Sequence, residues 1–292
     1  MNIRDILVQK VGKIIPDRLY IQVKYLKCFG KRCNFRNPQT FNEKLQWLKL
    51  YDHKPEYTVM VDKYKVREYI SDKIGEQYLI PLLGVWNDPD EIDFNVLPNQ
   101  FVLKCNHNSG VGMCICKDKT KLDVEKVKKN LRRGINQDYY LTGREWPYKN
   151  VTRKIIAEKF MIDDSVSELR DYKFYCFNGT VKLLMIASNR FSEEQTCFDY
   201  FDREYKHVDL VWGNPNSKSY PDKPKTFDEM VKISEKLSAG VPHVRVDLYE
   251  CNGKVYFGEL TFFDGSGFEK FENEEWNYKL GKMIQLPKEV KK

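Results

Sequence analysis

The sequence lacks any long apolar run: no stretch approaches the roughly 18 residues that a membrane-spanning helix needs. The opening residues, MNIRDILVQKVGKIIPDRLY, interrupt their apolar positions with charge too often to form the apolar core of a secretory leader. Both absences lead us to expect a cytoplasmic protein. Eight cysteines are present, but none are arranged as paired CxxC sets, so neither a zinc site nor a required disulfide is expected. Internal repeats and low-complexity tracts are missing as well. No nucleic-acid motif is found, and the net charge of +7 is concentrated locally, so nucleic acid is not an expected partner. Neither a Walker loop nor a GxGxxG fingerprint occurs.

What is present suits a globular chain. Hydrophobic residues make up 41% and aromatics 14% of the 292 positions, enough core for one large domain or two modest ones. The basic charge gathers at the start, where Arg4, Lys10, Lys13, Arg18, Lys24, Lys27, Lys31, Arg32 and Arg36 stand against only Asp5 and Asp17. Interleaved with Ile, Leu, Val and Tyr, they suit an anionic membrane surface or a phosphorylated ligand; a solvated helical face is the alternative.

Along the chain, residues 1–36 read as an amphipathic helix broken near Pro16. Thr40 and Glu43 form a capping box ahead of the next helix. "EYTVMVDKYKVREYISDKIG" reads as one further helix closed by Gly75. "YLIPLLGVW" is a strand, "QFVLKCNHNSGVGMCICKD" a strand, glycine-containing loop and strand, and "DVEKVKKNLRRGIN" a helix ended by Gly134. "RKIIAEKFM" is a strand, and "DYKFYCFNGTVKLLMIAS" a hairpin around Asn178-Gly179. "TFDEMVKISEKLSAG" is a helix capped by Thr226 with Glu229 completing the box, stopped by Gly240. The pattern is α+β.

The segment "HVRVDLYECNGKVYFGELTFFDGSG" alternates as a hairpin around Asn252-Gly253. A two-residue Asn-Gly turn would pair Cys251 with Lys254 and Val246 with Glu259, and set Asp247 and Glu259 on opposite faces. A three-residue loop with Gly253 as the bulge pairs Glu250 with Lys254, Val246 with Gly258 and Arg245 with Glu259. Because a one-residue slip exchanges faces, the register that keeps the apolar set together is expected. It gathers Arg245, Asp247, Glu259 and Thr261 on one surface. Such a surface is either a solvated face with a cross-strand ion pair or a Mg²⁺–phosphate site, since Mg²⁺ favours one or two carboxylates plus phosphate oxygens.

Three other places carry related chemistry. Lys104 ends a strand before a loop with Gly110 and Gly112, where backbone N–H groups can approach phosphate; His107 within it contacts substrate or serves as a structural hydrogen-bonding residue. Glu158 interrupts an apolar strand, either as a nucleoside contact or on an exposed edge. Lys173 shares a strand face with Asp171, facing a phosphate or solvent.

In this order, "TFNEKLQWLKLYD", "VDKYKVREYI", "VLKCNHNSG", "DYKFYCFNG" and "VYFGELTFFDGSG" are similar to segments of the ATP-grasp superfamily, and more closely of its TupA-like branch, associated with teichuronopeptide and other bacterial surface-polysaccharide synthesis. The resemblance runs over about residues 40–271. It implies an ATP-grasp fold, two α+β lobes gripping ATP, with an N-terminal helical extension. The implied division is a basic extension over 1–52, the first part of the ATP-grasp unit over 53–100, a nucleotide-lid subdomain over 101–160 and a catalytic metal-binding lobe over 161–292.

By position, the resemblance implies phosphate contacts from Lys63 and Lys104, and a lid formed by loop 106–112 with Asn106, His107, Asn108, Ser109 and Gly110. Glu158 and Phe160 would hold adenine and ribose, Lys173 would neutralise the γ-phosphate, and Arg245 would serve as the transition-state cation. Asp247 and Glu259 would ligate Mg²⁺, with Thr261 where many relatives carry Asn, or Asp264 in its place. The implied reaction is ADP-forming ligation of a carboxylate, such as that of a uronic acid, to an amino-acid or amino-sugar amine. Residues 1–36 would touch a lipid-linked substrate or the inner face of the membrane. The alternatives are a glycosyltransferase of polysaccharide synthesis, although "DPD" at 88–90 is no convincing DxD motif, and a non-catalytic nucleotide-binding module.

Overall fold

The computed structural model describes residues 12–164, 169–189 and 195–288. The first part of the expected N-terminal helix therefore lies outside the described residues; from Pro16 onward it is α1, Asp17–Phe29, closed by Gly30 in the left-handed region. α1 buries Ile21 and Tyr25 in a small cluster with Cys33, Phe35 and Phe268. Helix α2, Phe41–Tyr51, begins with the expected capping box. Thr40 Oγ1 accepts from the Glu43 N–H and the Glu43 carboxylate accepts from the Thr40 N–H, each at 3.2 Å.

The single helix expected next is two, α3 (Glu56–Val61) and α4 (Val66–Lys73). Asp62 breaks it. Its carboxylate accepts from the N–H groups of Tyr64 and Lys65, at 2.9 and 3.2 Å, and offers the backbone an alternative to the helix. The same oxygen accepts from Asn106 Nδ2 at 2.7 Å.

Four strands follow: β1 (Leu82–Trp86), β2 (Phe101–Cys105), β3 (Cys114–Cys116) and β4 (Ile155–Lys159). They form an antiparallel sheet in the order β1-β4-β2-β3. Helix α5, Val124–Ile135, packs its Val127 and Leu131 into the core of this sheet. Contrary to expectation Gly134 lies within α5, because glycine is needed there for contact: an added Cβ would stand 2.6 Å from Gly112 Cα. The short α6, Tyr140–Gly143, leads back to β4.

The second sheet is antiparallel in the order β10-β9-β5-β6-β7-β8. Its members are β5 (Asp171–Phe177), β6 (Thr180–Ser188), β7 (Cys197–Phe201), β8 (His207–Val208), β9 (His243–Cys251) and β10 (Lys254–Thr261). Helix α7, Phe227–Ser238, covers one face, reaching Phe174 through Phe227 and Cys176 through the Ser234 carbonyl. Thr226 precedes α7 but caps nothing with its side chain. Its N–H and hydroxyl both bond to Glu250, while Glu229 accepts from the Tyr78 hydroxyl, so the expected box does not form. Helix α8, Glu274–Met283, packs on α2 through Asn277 and Asn42.

Strand alternation divides the second sheet cleanly. Tyr172, Phe174 and Cys176 pair with Leu248, Val246 and Val244, and this set faces α7. Asp171, Lys173 and Tyr175 pair with Tyr249, Asp247 and Arg245 on the other face. The β9–β10 register differs from the expected one. Asn252 (φ 50°) and Gly253 (φ 72°) form a two-residue turn, and Cys251 pairs with Lys254. The extra residue is Gly258, where the register shifts between Phe257 and Glu259. Glycine is suited to that position, since a Cβ would meet the Asp247 carbonyl and the Tyr249 ring at 3.0 Å. The outcome for the faces is the expected one: Asp247 stands opposite Glu259, and Arg245 opposite Thr261. At its turn end the hairpin is tied to the segment after β4, where Asn252 N–H donates to Asp163 at 2.8 Å and Asp164 N–H donates to Asn252 Oδ1 at 3.0 Å.

Candidate active site

The face of the second sheet turned away from α7 holds a dense set of charges. Arg245 grips Asp247 with two parallel bonds, Nε to Oδ1 at 2.7 Å and Nη2 to Oδ2 at 2.8 Å. Its Nη1 bonds to Asp264, and Nη2 lies 3.3 Å from Thr261 Oγ1 and 3.8 Å from Glu259. Lys173 donates to Asp247 and stands 2.6 Å from Asp171. Asp264 also accepts from the Tyr175 hydroxyl at 2.5 Å. Arg245 and Asp247 are both buried, so each charge there depends on its partners.

A second group of charges comes from the first sheet. Lys104 Nζ lies 2.6 Å from the Glu158 carboxylate, and Arg67 of α4 approaches the other oxygen of that carboxylate at 3.6 Å. Lys63, placed by the Asp62 break, joins the first group to the loop after β2: its Nζ is 3.2 Å from Glu259 and donates to the Asn108 carbonyl at 3.0 Å. Lys63, Lys173, Arg245, Asp247, Glu259 and Thr261 are thus linked by ion pairs and strand neighbours, while Lys104 and Glu158 form a separate pair on the first sheet.

The loop residues behave differently. Asn106 is wholly buried, bonding to Asp62, the Thr152 carbonyl and the Lys154 N–H. Asn108 donates inward to the Gly134 carbonyl and to Gln137. His107 is buried with its Nε2 3.0 Å from the Gln137 carbonyl. Only Ser109 and Gly110, at the tip, are exposed, and Phe160 is half-buried just beyond β4. The loop is therefore anchored through three side chains and free at two residues.

Burial and charge act against each other at this site. Burial would raise the Glu259 pKa, but Lys63, Lys173 and Arg245 hold it down to about 2. Asp264 is likewise lowered, with Arg245 and the Tyr175 hydroxyl outweighing burial. Burial disfavours the Lys173 ammonium, yet Asp247 and Asp171 raise its pKa above the ordinary value. Burial pushes Asp247 up, against Arg245 and Lys173. Since both its oxygens accept from Arg245, Asp247 is an ionised carboxylate. At His107 burial dominates and lowers the pKa to about 4, so the ring is neutral.

The donor set fits magnesium in one particular way. Asp247 and Glu259 face each other across the strand pair with the Thr261 hydroxyl nearby, all of them hard oxygen ligands. Among the described residues no three Asp, Glu, His or Cys side chains converge to cage a metal. Two carboxylates suit an ion whose other ligands are phosphate and water.

The sequence reading missed two supporting residues. Arg67 carries a signal, standing four residues after Lys63 in "VDKYKVREYI". Lys49 carries none. It is buried, and its ammonium donates to the Ser266 carbonyl at 2.6 Å, the Gly143 carbonyl at 2.7 Å and Gln46 Oε1 at 3.0 Å. This braces the left-handed Gly265-Ser266 turn beside Asp264.

A model of the TupA-like ATP-grasp family matches residues 43–285. No curated protein matches the sequence. Among solved structures, the chain is similar to D-alanine–D-alanine ligase from Helicobacter pylori, at 13% identity and a TM-score of 0.47, covering 84% of this chain and 69% of that one. The Bacillus anthracis D-alanine–D-alanine ligase complexed with ATP matches at 13% identity and 0.41, covering 70% and 54%. The ATP-grasp ligase PsnB complexed with minimal precursor, Mg and ADP matches at 11% and 0.39, covering 77% and 60%. The chain spans less than two thirds of the length of the last two structures.

Proposed function

Because the chain belongs to the TupA-like ATP-grasp family, we propose that it is an ATP-dependent, ADP-forming ligase that joins a carboxylate to an amine. The observation that supports this reading is the meeting of Lys63, Lys173 and Arg245 with the paired carboxylates Asp247 and Glu259, with Lys104 held separately by Glu158 on the first sheet. Phosphoryl transfer needs placement and charge neutralisation more than covalent help, and these residues supply both.

In the proposed reaction a substrate carboxylate oxygen attacks the γ-phosphorus of ATP and the bond to the β-phosphate oxygen breaks, releasing ADP. The amine then attacks the acyl carbon of the acylphosphate, phosphate leaves, and the amine gives up a proton. Magnesium held by Asp247 and Glu259, with Thr261 or Asp264 beside them, would offset triphosphate charge. Lys63 and Lys104 bind phosphate oxygens. Glu158 and Phe160 hold the nucleoside. Lys173 and Arg245 face the transferred group, both already charged and fixed by Asp171, Asp247 and Asp264. The Ser109-Gly110 tip closes over the phosphates from its anchored base and excludes water from the acylphosphate.

For substrates we infer a carboxylated sugar of a bacterial surface polysaccharide or its lipid-linked precursor, with an amino acid or amino sugar as the amine. This reading follows the family's association and places the work at the inner face of the membrane.

Thermal unfolding with Mg²⁺-ATP, and separately with Mg²⁺-UDP-sugars, tests the reading. ATP at about 100 times its dissociation constant should add roughly 2.7 kcal/mol of stability, with the shift requiring Mg²⁺ and shrinking in Asp247→Asn. ADP release dependent on both acid and amine completes the test. A shift with UDP-sugar and none with ATP makes the chain a glycosyltransferase; ATP binding without turnover on any acid–amine pair makes it a binding module.

A further inference from the structure

Helix α1 has two apolar faces, and the described residues cover one. Ile21 and Tyr25 point into the small core with Phe268. On the other side Leu19, Val23 and Leu26, spaced as i, i+4 and i+7, are 55%, 59% and 46% exposed. They line a groove of about 710 Å³ together with Arg18, Arg32 and Arg36, and among the described residues no carboxylate lines it. The helix cannot roll to hide this stripe. Tyr20 and Lys24 both donate to the Thr142 carbonyl at 2.9 Å, and Asp17 is held by Tyr140 and Arg144.

We propose that this face docks on an anionic lipid bilayer. An interfacial helix needs an apolar stripe at the depth of the acyl boundary and cations level with the phosphates, which is the arrangement here. A free phosphate or phosphorylated sugar would satisfy the arginines but leave the stripe in water. A second copy of the chain across a two-fold axis would cover the stripe but set arginine against arginine. Behind the stripe, Phe268 packs on the inner face of α1, and it stands four residues after Asp264 in the chain. The proposal extends the reading of a lipid-linked substrate, and its test is independent of catalysis.

The full chain is sedimented with vesicles of phosphatidylcholine alone or mixed with phosphatidylglycerol. Binding to the mixed vesicles only, weakened by salt, is expected. Replacing Arg32 and Arg36 with Gln should weaken it about thirtyfold, at roughly one cation's surface attraction each. Leu19→Ser, Val23→Ser and Leu26→Ser together should abolish it. Unchanged thermal unfolding shows that the variants fold, and an unchanged Mg²⁺-ATP shift separates loss of docking from failure of the ATP site. The proposal is overturned if the wild type ignores anionic vesicles, if both variants bind as it does, or if the chain is a dimer in solution that Val23→Glu dissociates.

Discussion

Lys49 shows how much a single buried cation can hold. Its three acceptors belong to its own helix, to α6 and to the turn after β10, and the ammonium also lies over the ring of Phe268 at 4.6 Å. Lys49→Met would leave the Gly143 carbonyl without its donor, leave the Ser266 carbonyl with Gln46 Nε2 alone, and remove the cation that most favours the buried Glu145 carboxylate. We expect a loss of about 3 kcal/mol in urea unfolding, with turnover falling further because Asp264 loses its support; unchanged stability would show that water replaces the brace. Residues of this kind escape a linear reading because Ser266 stands 217 positions away. Lys104 stood out because it closes a strand just before a glycine-containing loop, and Glu158 because it interrupts an otherwise apolar strand.

At the scale of the element, the β9–β10 hairpin shows where periodicity misleads. The turn signal was legible, and so was the shared face of Arg245, Asp247, Glu259 and Thr261. The place of the extra residue was not, since period-2 counting admits a bulge at either end and only the close approach at Gly258 selects one. Gly258→Val should cost about 1–3 kcal/mol and reduce turnover disproportionately by moving Glu259. Gly253→Ala, at φ 72°, should cost about 1 kcal/mol and leave kcat unchanged. Equal losses of turnover in the two variants would refute a special role for the bulge. Asp62 carries the same lesson, because a helix-breaking carboxylate in mid-pattern is visible only through the backbone it caps.

For the whole molecule, the mixed α+β class and most elements could be read from the chain, while sheet order could not, because it depends on pairings such as β5 with β9 that no local pattern encodes. The two buried histidines, His107 and His243, give the molecule a characteristic acid response. Burial lowers both to about 4, from an unfolded value near 6.5. Below about pH 6.5 the unfolded chain takes up protons that the folded one refuses, so stability falls as pH drops toward 4 and is regained above it. The slope approaches about 1.4 kcal/mol per pH unit for each histidine. Urea midpoints between pH 7 and about 5.5, above the ordinary carboxylate range where Glu259 and Asp264 of the unfolded chain take up protons, should fall as pH falls in the wild type and fall less steeply in His107→Gln; equal slopes would contradict it.

The hairpin that carries Asp247 and Glu259 at one end holds Asp163 and Asp164 at the other. Mechanically it is a lever, stiffened by cross-strand pairing. Were the proposed nucleotide to displace the first sheet, these bonds would carry the displacement from the segment leaving β4 to the Asn252-Gly253 tip. A spectroscopic label at that tip is expected to respond to Mg²⁺-ATP from outside the proposed site, and an unchanged signal would show that the hairpin does not transmit the displacement.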